Sequence, residues 1–174
     1  MNDGTGRSIT YLRLSVTDLC DLRCRYCMAE EGVEKHPHEA LCSFEELQTF
    51  AAAAARLGVN KIRITGGEPL VRRDISELCA MLRAVPGVAE LCLTTNGIRL
   101  AQLARPLRKA GVDRLNISLD SLRPERYRAI TRVDGLDAVL SGIRAAEDAG
   151  FENLKINCVL LGGINDDEIE DFVR

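Results

Sequence analysis

One junction recurs four times along the chain and narrows its fold more than any other feature. A glycine is followed by an apolar residue, two variable residues and then alternation: Gly58-VNKIRIT, Gly87-VAELCLT, Gly111-VDRLNIS and Gly150-FENLKIN. Each glycine suits the left-handed position just past a helix, and the alternation has the period of a strand. Each copy therefore reads as a helix feeding a strand. A further strand, Tyr11 to Thr17, precedes them. Five strands alternating with helices predict a parallel α/β sheet or barrel joined by right-handed crossovers.

The helices are legible between these strands. Ser43 with Glu46 carries a capping-box signature for a run to Leu57, and Asp74 with Glu77 repeats the start signal ahead of Ile75, Leu78 and Leu82. Leu100, Leu103, Ala104 and Leu107 mark a third helix, and Leu136, Val139, Leu140 and Ile143 a longer fourth. Asn165 or Asp166 is read as the cap of a last pattern, Ile169, Phe172 and Val173, which reaches Arg174 after about two turns and reads as part of something longer.

The length of 174 residues with 46% hydrophobic content is enough for a full core and fits one domain, residues 1–174. A net charge of −3 (23 basic against 26 acidic residues), no Trp and 4% aromatics argue against nucleic acid as a partner, since neither a positive field nor stacking platforms are present. The sequence pI, about 5.5, agrees. The longest apolar run, Phe50 to Ala55, is far short of a membrane span, and Met1 to Arg7 is polar; no membrane association and a cytoplasmic location are expected. In that reducing compartment the seven cysteines are read as metal ligands or thiols rather than disulfides.

Alignment of the four junctions separates two strand phases. One phase is aliphatic throughout, Ile62/Ile64, Leu91/Leu93, Leu115/Ile117 and Leu154/Ile156, and should pack against the helices. The other carries Arg63/Thr65, Cys92/Thr94, Asn116/Ser118 and Lys155/Asn157, with Arg13 and Ser15 on the first strand. An ordinary β/α barrel fills its interior with branched apolar side chains. Buried without partners, these polar groups would be costly, so the interior reads as a wet cavity. Arg13, Arg63 and Lys155 converging there suit a multiply charged anion such as a phosphate chain; structural pairing with Glu68, Asp120 or Glu90 is the other reading.

Cys20, Cys24 and Cys27 follow the first strand directly, at the end where β/α barrels place their chemistry. The spacing C-x3-C-x2-C can hold three irons of a cubane cluster and leave the fourth open. Structural zinc, with Cys42, His36 or His38 as fourth ligand, fits the same spacing. After the second strand comes Thr65-Gly66-Gly67-Glu68-Pro69, where two glycines allow close backbone approach to a ligand and a carboxylate can hold an ammonium group.

These motifs, with the stretches LRLSVTDLCDLRCRYC, KIRITGGEPLVRRD, LTTNG and KINCVLLGGINDDEI, resemble the radical S-adenosylmethionine superfamily, and within it the family that cyclises GTP at the start of molybdopterin (molybdenum-cofactor) biosynthesis. The resemblance implies a lyase with a partial (β/α)6 barrel, truncated here after about five units. It implies a [4Fe-4S] cluster on Cys20, Cys24 and Cys27, with S-adenosylmethionine chelating the open iron. An electron donor would reduce the cluster, and a 5′-deoxyadenosyl radical would take hydrogen from the GTP ribose before that sugar carbon attacks guanine. By motif position, Tyr26, Gly67, Glu68 and Ser118 would contact S-adenosylmethionine, with Asn157 a weaker candidate. Arg13, Arg63, Thr94 and Lys155, already selected by the alternation, would contact GTP. No residue is assigned as a catalytic acid, base or nucleophile, and a homodimer is compatible with this reading.

The chain departs from the family in two respects. Met28-Ala29 stands where the family has Met-Pro, which removes no ligand. The family's second cluster, guanine-reading arginines and Gly-Gly tail are expected outside this chain. Cys42, Cys79, Cys92 and Cys158 do not replace them and read as small core residues, Cys158 facing the outer layer. Two other functions fit the sequence: a radical enzyme acting on a peptide or other small molecule, and a zinc-binding module without catalysis.

Overall fold

A computed structural model of the chain describes residues 2–33 and 41–174. Its centre is a parallel sheet of five strands in the order β1-β2-β3-β4-β5. These are β1 (Tyr11–Ser15), β2 (Lys61–Thr65), β3 (Glu90–Thr95), β4 (Arg114–Ser118) and β5 (Leu154–Asn157). Sequential order follows from the junctions, since each helix returns the chain to the next position in the same sheet. The first strand is two residues shorter than the alternation suggests. Beyond Ser15 the carbonyl of Thr17 turns to accept the Gly67 N–H at 2.8 Å, so the chain has left the ladder.

Among the described residues six helices flank the sheet: α1 (Phe44–Arg56), α2 (Ile75–Arg83), α3 (Leu100–Lys109), α4 (Pro124–Thr131), α5 (Leu136–Asp148) and α6 (Ile169–Val173). Ser43 and Glu46 form the expected reciprocal capping box on α1. Asp74 does not repeat it. Its backbone is left-handed at φ 56° and its side chain makes no cap bond, because the chain enters α2 from the short 3-10 turn Pro69–Val71 and must reverse at that residue. Asn165 makes no cap bond either; its amide is buried and donates to the carbonyls of Asp120 (2.7 Å) and Val159 (2.9 Å). Helix α4 was not anticipated. Its signal was Pro124, whose fixed φ and missing N–H suit a first helical turn.

The two strand phases separate as expected. Ile62, Ile64, Leu91, Leu93, Leu115 and Ile117 are fully buried against Ala51, Leu78, Leu82, Leu100, Leu107 and Val139 of the helices, each large side chain contributing about 1.5–3 kcal/mol of transfer free energy. At the edge strand the pattern weakens, and Ile156 is 38% exposed. On the other face, the N-terminal ends of the strands are closed by an ionic layer. Glu90 accepts from Lys61 at 2.7 Å and Arg114 at 3.5 Å, and Lys61 lies 5.9 Å from the Tyr11 ring centre. The opposite end is left to the polar residues. Among the described residues no helix is long and apolar enough to cross a membrane.

Candidate functional site

The segment after β1 carries Cys20, Cys24 and Cys27, and three sets of neighbours hold it over the C-terminal ends of the strands. The turn after β2 holds its first arm: Gly67 and Glu68 donate backbone N–H groups to the carbonyls of Thr17 (2.8 Å) and Leu19 (2.7 Å). A Cβ at Gly67 would lie 2.4 Å from the Leu19 oxygen and 2.5 Å from that of Asp18. The glycine pair thus serves backbone-to-backbone approach as well as lining the cavity beneath. The C-terminal turn of α4 holds the middle, its Thr131 and Ile130 carbonyls accepting the N–H groups of Arg23 and Arg25 at 3.0 Å. Arg132, left-handed at φ 61°, adds its guanidinium to the carbonyls of Arg23 (2.8 Å) and Met28 (3.3 Å). Finally Arg72, stacked on the Phe44 ring at 4.7 Å, donates to the carbonyls of Val16 and Cys42, each at 2.6 Å. One guanidinium therefore clamps the two ends of the cysteine-bearing segment.

Within the segment, the N–H groups of Cys27 and Met28 both reach the Cys24 carbonyl, at 2.9 and 3.0 Å, so a tight turn presents these two cysteines together. All three cysteines line one cavity of about 200 Å³. Thr65, Thr95 and Ser118, the last residues of β2, β3 and β4, also line it, which places it at the chemical end of the sheet. Burial pushes the Cys24 thiol up to about 11, helped by the charges of Asp120, Cys20 and Cys27; burial raises Cys20 as well. A metal bound here would displace these protons, since it is the thiolate that ligates.

Three thiols can hold three irons of a cubane cluster and leave the fourth iron open. Among the described residues no three His, Cys, Asp or Glu side chains gather as a site for a single ion. Cys20 sulfur already has two donors facing it, the Leu22 N–H at 3.4 Å and the Asn96 amide at 3.8 Å, as sulfur ligands of a cluster require. A third buried donor, the Tyr127 hydroxyl, has no partner among the described residues, and Tyr127 lines the same cavity. The residues present fit an iron-sulfur cluster. His36 and His38, the imidazoles of the zinc reading, lie outside the described residues.

The other sequence-selected residues divide. Arg13, Tyr26, Gly67, Glu68, Thr94 and Ser118 line the cysteine cavity. Arg63 stands beside it, paired in register with Arg13 and donating to the hydroxyls of Tyr11 (2.8 Å) and Thr94 (3.3 Å). Lys155 and Asn157 are on edge strand β5, Lys155 exposed. Glu68, which lines the cavity, is also engaged within the protein. It is 1% exposed and its carboxylate accepts from the backbone of Leu70 (2.9 Å) and Asn96 (2.6 Å) and the hydroxyl of Thr95 (2.8 Å). It ties the ends of β2 and β3 together at the cavity wall. No carboxylate neutralises the cations: Glu90 serves Lys61 and Arg114, Asp120 accepts from Tyr26 at 2.6 Å and from the Val159 N–H at 2.8 Å, and Arg13, Arg63 and Lys155 make no ion pair among the described residues. Cys79 and Cys92 are buried, and Cys158 is half-buried against the Asp120 carbonyl rather than in the outer layer.

Sequence reasoning missed the residues that position the loop. Arg72, Asn96, Asp120 and Arg132 act over long separations; the Tyr26–Asp120 bond spans 94 residues. Only Asp120, two residues after the inward Ser118 and in the same phase, carried a positional hint.

Comparison with known proteins places this geometry. The Radical SAM superfamily model matches residues 14–174. The chain is 57% identical over 172 residues to the GTP 3′,8-cyclase of Pseudomonas entomophila (strain L48), covering 99% of this chain and 51% of that protein. It is 56% identical, again over 172 residues, to the enzyme of the same name from Geobacter sulfurreducens, covering 53% of it. The chain thus spans about half the length of these relatives. Among solved structures, Streptococcus suis SuiB bound to precursor peptide SuiA superposes with a TM-score of 0.72 at 21% identity, over 94% of this chain and 36% of that one. Native anSMEcpe with bound AdoMet gives 0.67 at 18% identity, over 85% and 43%. At these identities the structures attest the fold.

Proposed function

The chain belongs to the radical S-adenosylmethionine superfamily, whose cofactors are a [4Fe-4S] cluster and S-adenosylmethionine, and from that premise we propose that the protein containing it is a GTP 3′,8-cyclase of molybdopterin biosynthesis. The observation that carries the proposal is the 57% identity over 172 residues to a protein of that name. Residues 1–174 are read as the radical core domain, with the second-cluster domain lying outside this chain. An electron donor is required, and a homodimer is compatible. The cysteine usage suits the cytoplasm, where thiols stay reduced.

Cys20, Cys24 and Cys27 would hold the cluster, and Tyr26, Gly67, Glu68 and Ser118 would contact S-adenosylmethionine. When bound, this pair supplies one-electron reductive cleavage and a carbon radical able to take hydrogen from the nucleotide sugar. The chain's own residues bind and orient. Arg13 and Arg63 are opposite each other in the β1–β2 register, a like-charge juxtaposition that is unfavourable without an anion between them. The Arg63 guanidinium is held on the Tyr11 and Thr94 hydroxyls and is oriented before ligand arrives. Arg13, Arg63 and Lys155 would engage the triphosphate, with Thr94 orienting Arg63 and contacting the nucleotide. The arginine-clamped cysteine segment covers the cavity and limits water at the reacting centre.

The test is anaerobic incubation of the intact protein with dithionite, S-adenosylmethionine and GTP, with 5′-deoxyadenosine and cyclised nucleotide measured separately. Both should form. Lys155→Ala should weaken GTP far more than guanosine. Cofactor cleavage that is indifferent to GTP, with no cyclised product, would overturn the substrate assignment and leave the superfamily membership standing.

A further inference from the structure

Tyr127 is 1% exposed, on the buried side of α4. Its hydroxyl is the one buried side-chain polar atom without a hydrogen-bond partner among the described residues. Leaving a buried donor in that state is unfavourable, and a phenylalanine would fill the same volume without the penalty. The position is not remote from chemistry. Tyr127 lines the cavity that Cys20, Cys24 and Cys27 line. Its own carbonyl accepts the Thr131 hydroxyl at 2.8 Å, while the Thr131 and Ile130 carbonyls hold the N–H groups of Arg23 and Arg25 on either side of Cys24. The helix turn that carries the orphaned hydroxyl is therefore stitched to the cysteine turn.

We propose that the Tyr127 hydroxyl donates a hydrogen bond to a sulfur of the cluster held by Cys20, Cys24 and Cys27, and so raises its reduction potential. This rests on the reading of those cysteines as cluster ligands. A donor to sulfur stabilises the more negative, reduced cluster, and hydrogen bonds to sulfur are among the protein's means of setting cluster potentials. The Leu22 N–H and the Asn96 amide already face Cys20 sulfur; Tyr127 completes the donor set from the α4 side.

Tyr127→Phe separates this role from packing. The apoprotein should melt at the same temperature as the parent or higher, since a buried unsatisfied group is removed without loss of volume. After anaerobic reconstitution, iron content should match the parent, and the midpoint potential should be more negative in a potentiometric EPR titration of the signal that Cys24→Ser abolishes. A lower apoprotein melting temperature with an unchanged potential would overturn the inference and make the hydroxyl structural. A shift seen only with S-adenosylmethionine bound would also overturn it, by assigning the hydroxyl to the cosubstrate. Absence of any iron signal from the parent would instead refute the cysteine reading beneath it.

Discussion

The buried carboxylate of Glu68 accepts the backbone N–H of Asn96 at 2.6 Å, joining the turn after β2 to the turn after β3. The two residues meet under the cysteine segment, since Asn96 also reaches Asp21 at 2.7 Å. Burial pushes the Glu68 carboxyl up to about 7, against its hydrogen bonds from Asn96, Leu70 and Thr95, which lower it. The unfolded chain ionises this group near its ordinary 4.5. Between those values the folded state holds the extra proton, so this group's contribution to stability falls as pH rises through the window. In urea unfolding of the apoprotein, the parent should lose stability relative to Glu68→Gln between pH 5 and pH 7.5. A difference between the two that does not change with pH would show Glu68 ionised throughout.

Gly67 makes a sharper prediction, because the space around it is closed by backbone. A methyl group there would meet the Leu19 and Asp18 carbonyls at 2.4 and 2.5 Å. Neither can move without displacing the arm that leads to Cys20. Gly67→Ala should cost about 1–3 kcal/mol as overpacking and should reduce iron incorporation. Gly162→Ala, where a Cβ would meet nothing within 4 Å, is the control and should reconstitute like the parent. Equal iron content in both variants would show that the glycine turn does not hold the cluster segment.

The sheet was legible in the sequence because its signals are local: Gly58, Gly111 and Gly150 end their helices at positive φ, Gly87 takes positive φ in the Val85–Val88 turn that follows the α2 cap at Ala84, and the inward and outward phases follow from alternation alone. Asp74 and Asn165 misled for the converse reason. Each has the residue type of a helix cap, yet tertiary demands took the first into a left-handed turn and the second into a buried carbonyl network. At the site, cysteine spacing exposed the ligands, but nothing local announces Arg72, whose partners Val16 and Cys42 are 56 and 30 residues away. Glu68 was found by its motif, but sequence shows a carboxylate and not the three donors that hold it in place.

Tyr26 should respond to loss of its hydroxyl even though the ring remains. Its 2.6 Å bond to Asp120 connects the middle of the cysteine turn to the end of β4, and Asp120 in turn holds the Val159 N–H. Tyr26→Phe should cost about 1–2 kcal/mol, the lower range for a charged acceptor, because the tyrosine is half-exposed. Amide exchange should speed up in residues 20–28 and not in β2 or β3. Uniform acceleration across the sheet would indicate a general loss of stability instead.

Glu168 anchors the loop that follows β4, and its environment predicts a strongly non-additive response. The residue is fully buried. Its carboxylate accepts from the Ser121 hydroxyl (2.8 and 3.0 Å), the Leu122 N–H (2.7 Å) and the Arg126 guanidinium (2.6 Å), which fixes the loop between β4 and α4 to the 3-10 turn Asp166–Glu168. Removing it with Glu168→Ala leaves Ser121, Leu122 and a partly buried Arg126 short of an acceptor, and should cost about 3 kcal/mol. Removing the cation with Arg126→Met leaves the carboxylate with two donors, and should cost less. In the double variant no unpaired charge remains at Arg126, so urea midpoints should show a combined loss well below the sum of the two. A strictly additive loss would mean that Arg126 spends its hydrogen bonds on Asp167 and that Glu168 anchors the turn through Ser121 and Leu122 alone.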